Sequence, residues 1–152
     1  MKIVNYKLKI AKGGFTLIEV LVAATIIVLL TSIGMVSYQA VNRQARDAKR
    51  KADLEQIRAA LQIYRGDCGN YPTGVSFGDL LTGNCTGSSV TYMQQVPQDS
   101  KYGYSYKRLS SGASYVLCAH VENTDVAYAG CPDACDTNSC GGQSCNYEVC
   151  PF

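Results

Sequence analysis

A chain of 152 residues with a formal charge of +2 has room for one modest domain plus appendages, and its charge is too small to indicate nucleic-acid binding. Its 47% apolar content is ordinary, but eight cysteines in so short a chain point to disulfides in an oxidising compartment. All eight lie between Cys68 and Cys150, whereas Lys2, Lys7, Lys9 and Lys12 crowd a beginning that carries no acid; the remaining ten basic residues face twelve acidic ones.

Residues 1–14 form a basic leader ending in Gly13-Gly14. A general secretory signal peptide places its apolar core before the cut. Here the apolar run follows the glycines, so the leader reads as removable and the run as retained. Residues 15–41, FTLIEVLVAATIIVLLTSIGMVSYQAV, hold Glu19 as their single charge and are long enough to cross a bilayer as a helix. Thr16, Thr25, Thr31, Ser32 and Ser37 can bond back to carbonyls of that helix, and Gly34 permits close approach of another. A carboxylate inside such a run is costly unless it meets a partner, which sets Glu19 apart from the content of a plain anchor.

Residues 42–66 continue without a breaker: no Pro occurs from Phe15 to Arg65, so one helix is predicted across that span. Ala45, Ala48, Ala52, Leu54, Ile57, Leu61 and Tyr64 recur at helical spacing and predict one face, with Asp47, Lys51 and Asp53 on the others. Lys49-Arg50-Lys51 is interleaved with Asp47, Asp53 and Glu55, and reads as a solvated helix face rather than a nucleic-acid or lipid patch.

Residues 67–152 make the head. Gly66, Gly69 and Pro72 predict the helix stop, and a loop-rich stretch is expected through Cys85 to about Ser89. Tyr102–Arg108 and Ser114–Val121 alternate with period two around Ser110-Ser111-Gly112, which predicts a hairpin. Tyr102, Tyr104 and Tyr106 then share a strand face, expected to pack a sheet against the long helix. From Cys131 the tail reads CPDACDTNSCGGQSCNYEVC, with few large apolar residues, so disulfides are expected to replace a core there.

The disulfide candidates are Cys68, Cys85, Cys118, Cys131, Cys135, Cys140, Cys145 and Cys150. Their connectivity is open among on the order of a hundred pairings, with Cys68–Cys85 a plausible local bridge. The tail lacks the paired two-residue spacing of structural zinc sites, so no metal is expected. His120 is the only histidine, and a Cys–His nucleophile would need a reduced thiol beside it; it reads as a packing or surface residue. No catalytic constellation and no cofactor site emerge, so the chain is read as a non-enzyme.

The run Gly14-Phe15-Thr16-Leu17-Ile18-Glu19-Val20, behind a basic leader and ahead of a continuous helix and a disulfide-bearing β head, resembles the type IV filament subunits: type IV pilins and the pseudopilins of type II secretion. Lys51-Ala52-Asp53-Leu54 to Tyr64-Arg65, followed by Asn70-Tyr71-Pro72-Thr73, is similar to the helix exit of the pseudopilin-like subgroup. The likeness covers residues 10–75 well, the hairpin loosely and the C-terminal cysteines not at all. It implies an α+β pilin fold: a long N-terminal helix, membrane-spanning in its first half and amphipathic in its second, packed on a small antiparallel sheet with a disulfide-rich tail.

The resemblance further implies that a membrane aspartyl peptidase cuts between Gly14 and Phe15 and methylates the new Phe15 amine. Glu19, fifth after the cut, would neutralise such an amine, its own or a neighbouring subunit's, and so fix register during assembly. Implied partners are copies of the chain in a helical filament, the prepilin peptidase/methyltransferase, the inner-membrane assembly machinery and, before assembly, the membrane; nucleic acid is not indicated. The implied location is a single pass of the inner or cytoplasmic membrane, then an extracellular or periplasmic filament. Many pilins carry a kinking Pro about twenty residues after the cut; here Ser32-Ile33-Gly34-Met35-Val36 offers Gly34 instead, and bending there is open. Pseudopilins often hold calcium in a C-terminal loop, where this chain has Asp133, Asp136 and Asn138, read as solvated turn residues. The cysteine-rich tail favours an exposed type IV pilus subunit, with a type II secretion pseudopilin as the alternative. A membrane-anchored extracytoplasmic binding domain that does not polymerise is the rival of another class.

Overall fold

The computed structural model describes residues 13–85, 87–123, 131, 135 and 140–151. They fall into two compact units, Met1–Ala40 and Val41–Phe152. One helix, α1 (Leu17–Cys68), contributes to both.

In the first unit, residues 13–16 hold no regular structure and α1 follows at Leu17. Its described side chains are all exposed, Phe15 at 86%, so none of the unit's described residues buries the apolar run. Helix is nevertheless the state this run adopts, because it contains no Pro and its polar residues are satisfied locally. The hydroxyls of Thr25, Thr31 and Ser32 donate to the carbonyls of Val22, Ile27 and Leu29 at 2.8–2.9 Å. This helix is long and apolar enough to cross a membrane.

The second unit packs the C-terminal half of α1 on two small antiparallel sheets. One is a hairpin of β1 (Leu81–Gly83) and β2 (Val90–Met93). The other has the order β3 (Tyr104–Leu109), β4 (Ser114–Ala119), β5 (Tyr147–Val149). In the predicted hairpin Tyr104 pairs with Ala119 and Leu109 with Ser114. Gly112, at φ +103°, closes its turn where a Cβ would collide with the Arg108 guanidinium.

Leu54, Ile57 and Leu61 of α1 are fully buried against Tyr71, Tyr115 and Leu117. Truncating one of these aliphatic side chains to Ala costs about 2–5 kcal/mol in comparable cores. β4 is covered on both faces. Tyr115, Leu117 and Ala119 look toward the helix, while Val116 and Cys118 pack with Leu109, Cys135 and Cys140.

Several expectations are corrected. Gly66 lies inside α1; the stop comes at Gly69, whose φ of +74° and N–H bond to the Arg65 carbonyl form a left-handed cap. The stretch expected as loop to about Ser89 contains β1, and its partner β2 follows directly at Val90. Tyr102 precedes β3 rather than belonging to it, so only Tyr104 and Tyr106 continue the strand alternation. The tail supplies a strand of its own, β5, whose Tyr147 and Val149 join the main core. The predicted alanine face is also wrong: Ala45, Ala48 and Ala52 are exposed, and Asp47, Arg50 and Asp53 are buried in their place.

Candidate functional site

Two places carry functional groups, one in each unit. In the first unit, Gly13 and Gly14 have open space where side chains would sit, leaving the backbone at the Gly14–Phe15 bond uncrowded. Thr16 and Glu19 then form a reciprocal cap on α1. The Thr16 amide and hydroxyl donate to Glu19 Oε2 at 2.8 and 2.7 Å, and the Glu19 amide donates to Thr16 Oγ1 at 3.3 Å. This is the Thr-x-x-Glu capping box, which satisfies two helix-end donors at once. Glu19 therefore has a partner within its own chain. Pro is absent near Gly34, and open space surrounds that glycine.

In the second unit, the side chain of Arg50 is 2% exposed and gathers three carboxylates. Its Nη1 donates to Asp47 Oδ1 at 2.8 Å, its Nε pairs with Asp99, and its Nη2 lies 3.3 Å from Glu122 Oε1. Arg46 holds Glu122 from the other side through two bonds of 2.8 and 2.7 Å. Asp47 in turn accepts the amides of Glu122 and Asn123, both at 2.9 Å. One helical turn on, the Tyr104 hydroxyl donates to Asp53 at 2.7 Å. Helix, the Asp99–Lys101 turn and the chain after β4 are thus locked together by charge.

With Lys101 3.5 Å from Glu122, three cations meet three carboxylates, so the cluster is neutral. The hydrogen bonds from Arg46 hold the Glu122 carboxyl down at about 2, with burial opposing and Arg50 adding to the effect. Burial likewise opposes ionisation of Asp99, but Arg50 and the Lys101 amide still keep it below the usual carboxylate range. Such a neutral, hydrogen-bonded network fixes geometry. His120 packs against Tyr102 in a tilted ring pair with centroids 4.4 Å apart, and its Nδ1 lies 2.7 Å from the Ser144 carbonyl, a packing role.

The structure pairs Cys68 with Cys85, Cys118 with Cys135, Cys131 with Cys150, and Cys140 with Cys145. Asp133, Asp136 and Asn138, and the leader up to Lys12, lie outside the described residues. Reading Lys49-Arg50-Lys51 as a solvated face is corrected at Arg50. A signal for this was present. Continuing the Leu61–Ile57–Leu54 stripe backwards by four and three residues lands on Arg50 and Asp47, not on the alanines.

Comparison with known proteins divides the chain at nearly the same place. The prokaryotic N-terminal methylation motif matches residues 10–35, and the type II secretion system (T2SS), protein G family matches residues 38–130. The chain belongs to the type II secretion protein G family. Type II secretion system core protein G of Aeromonas hydrophila is 30% identical over 108 residues, covering 66% of this chain and 75% of that protein. The protein of the same name from Pseudomonas aeruginosa is 29% identical over the same length and shares. No solved structure matches. This membership supports the pseudopilin alternative over the pilus subunit that the cysteine-rich tail had favoured. The protein G match ends at residue 130, so three of the four bridges involve cysteines beyond it.

Proposed function

We propose that the chain is a structural, non-enzymatic subunit of a type II secretion pseudopilus. A prepilin peptidase cuts between Gly14 and Phe15 and methylates the Phe15 amine. The subunit waits in the inner membrane through residues 15–41 and then polymerises by them, placing the disulfide-braced head in the periplasm. The observation that carries this reading is the methylation motif at residues 10–35 joined directly to the protein G match at 38–130. The exposed apolar run of the first unit agrees with it, since a second copy or lipid must cover that surface.

On this reading the cut creates a positive amine next to Thr16, and Glu19, already at the helix start, neutralises it or that of a neighbouring copy. Removing one partner of such a pair in an apolar bundle costs about 3–5 kcal/mol. The test is the intact mass and N-terminal sequence of the protein from its native membrane. A chain beginning at methylated Phe15 supports the proposal. One that keeps its leader, or is cut elsewhere, makes a non-polymerising anchored domain the better account.

A further inference from the structure

The four bridges do not join cysteines in chain order. Cys68 takes its neighbour Cys85, but Cys118 passes over Cys131 to reach Cys135, and Cys131 passes over three cysteines to reach Cys150. Cys140–Cys145 is nested inside that last loop. Bridges 118–135 and 131–150 therefore interlock.

Elementary polymer physics favours other pairs first. Cys135–Cys140 and Cys145–Cys150 are five residues apart, as is the native Cys140–Cys145, against separations of 17 and 19 for the two interlocked bridges. Closure probability falls with about the 3/2 power of loop length, so these short rings close roughly six to seven times more readily than the interlocked bridges. A chain arriving amino end first also offers Cys118 its neighbour Cys131 before Cys135. Early oxidation is then biased to the consecutive set Cys118–Cys131, Cys135–Cys140 and Cys145–Cys150.

That set cannot repair itself. With every cysteine oxidised no thiolate remains, and disulfide exchange starts only from a thiolate. Repair must also come early, because in the folded head Cys118 is 1% and Cys140 0% exposed.

We infer that the head is a substrate of a thiol–disulfide isomerase, acting before β4 is covered by the tail. The enzyme thiolate attacks Cys131 Sγ of a Cys118–Cys131 bridge, forming a mixed disulfide and releasing the Cys118 thiolate. Cys118 attacks Cys135 and releases Cys140. Cys140 attacks Cys145 and releases Cys150. Cys150 then attacks the mixed disulfide at Cys131 and returns the enzyme thiolate. Three bridges are present at the start and three at the end, so no oxidant or reductant is consumed. This inference is independent of polymerisation and needs only an oxidising compartment.

The test uses the full chain, reduced in detergent micelles and oxidised by a thiol–disulfide oxidase with or without catalytic protein disulfide isomerase. After thiol blocking, bridges are read by peptide mass mapping. The isomerase is expected to raise the fraction carrying both Cys118–Cys135 and Cys131–Cys150 by about threefold or more, a rise within the closure advantage of the short rings; a smaller rise overturns the inference. Two variants separate connectivity from general folding aid. In Cys131→Ser/Cys150→Ser the remaining tail pairs are consecutive, so native bridges form without isomerase. Cys118→Ser/Cys135→Ser leaves the nested pair and keeps the dependence. Equal isomerase dependence of the two variants also overturns it.

Discussion

Thr16 and Glu19 satisfy one another across the first turn of α1, with both Thr16 donors on a single Glu19 oxygen. The cap and the proposed amine partner therefore draw on the same carboxylate. Glu19→Gln keeps an acceptor for Thr16 but loses the charge, whereas Thr16→Ala loses the cap, worth about 1 kcal/mol, and keeps the charge. Cross-linked oligomers in membranes should fall sharply for Glu19→Gln and change little for Thr16→Ala. Normal oligomers from Glu19→Gln would remove charge neutralisation from the assembly account.

Arg50 is the hub of the second unit. Arg50→Met strands Asp47, Asp99 and Glu122 near one another without their shared cation, and should cost about 3–5 kcal/mol in denaturant unfolding of the head. Arg50→Lys should recover only part of this, because one ammonium cannot reproduce a guanidinium fork spread over three carboxylates. Full recovery by Lys would reduce the hub to simple charge balance.

Acid should loosen the same cluster. Glu122 titrates at about 2 when folded against 4.5 ordinarily, so the folded state binds fewer protons than the unfolded one. Its contribution to stability is complete above about pH 4.5 and is lost as pH falls toward 2; Asp99, also depressed, acts in the same direction. Unfolding midpoints followed from pH 6 to pH 2 should drop less steeply in Glu122→Gln than in the parent. Equal slopes would mean that the Arg46 and Arg50 bonds to Glu122 contribute nothing in solution.

Tyr104, Tyr106 and Tyr115 are all pushed up by burial, and Tyr104 further by its bond to Asp53. In an alkaline absorbance titration these three tyrosines should ionise late, or only on unfolding. Tyr104→Phe removes one of the late group and leaves the buried Asp53 short of a donor, at a cost of about 1–3 kcal/mol. Eleven tyrosines titrating together in the folded protein would contradict the packing of β3 on α1.

The α+β class, the helix across residues 17–65 and the β3–β4 hairpin were legible from periodicity and turn residues, because each depends on local spacing. β1, β2 and β5 were not. Three- and four-residue strands carry too little alternation, and β5 owes its place to pairing with β4 and to bridges whose partners are distant in sequence. Arg50 was misread for a related reason. Charge predicts exposure unless compensating charges arrive from elsewhere, and Asp99 and Glu122 lie 49 and 72 residues away.

The sequence by itself determined the basic beginning, the lone carboxylate, the apolar helix and hence the resemblance to type IV filament subunits, since all are contiguous patterns read in one dimension. Only the tertiary structure decided which charges are buried and which cysteines are joined. Both depend on groups brought together by folding, and neither burial of a charge nor closure of a distant pair has a local signature.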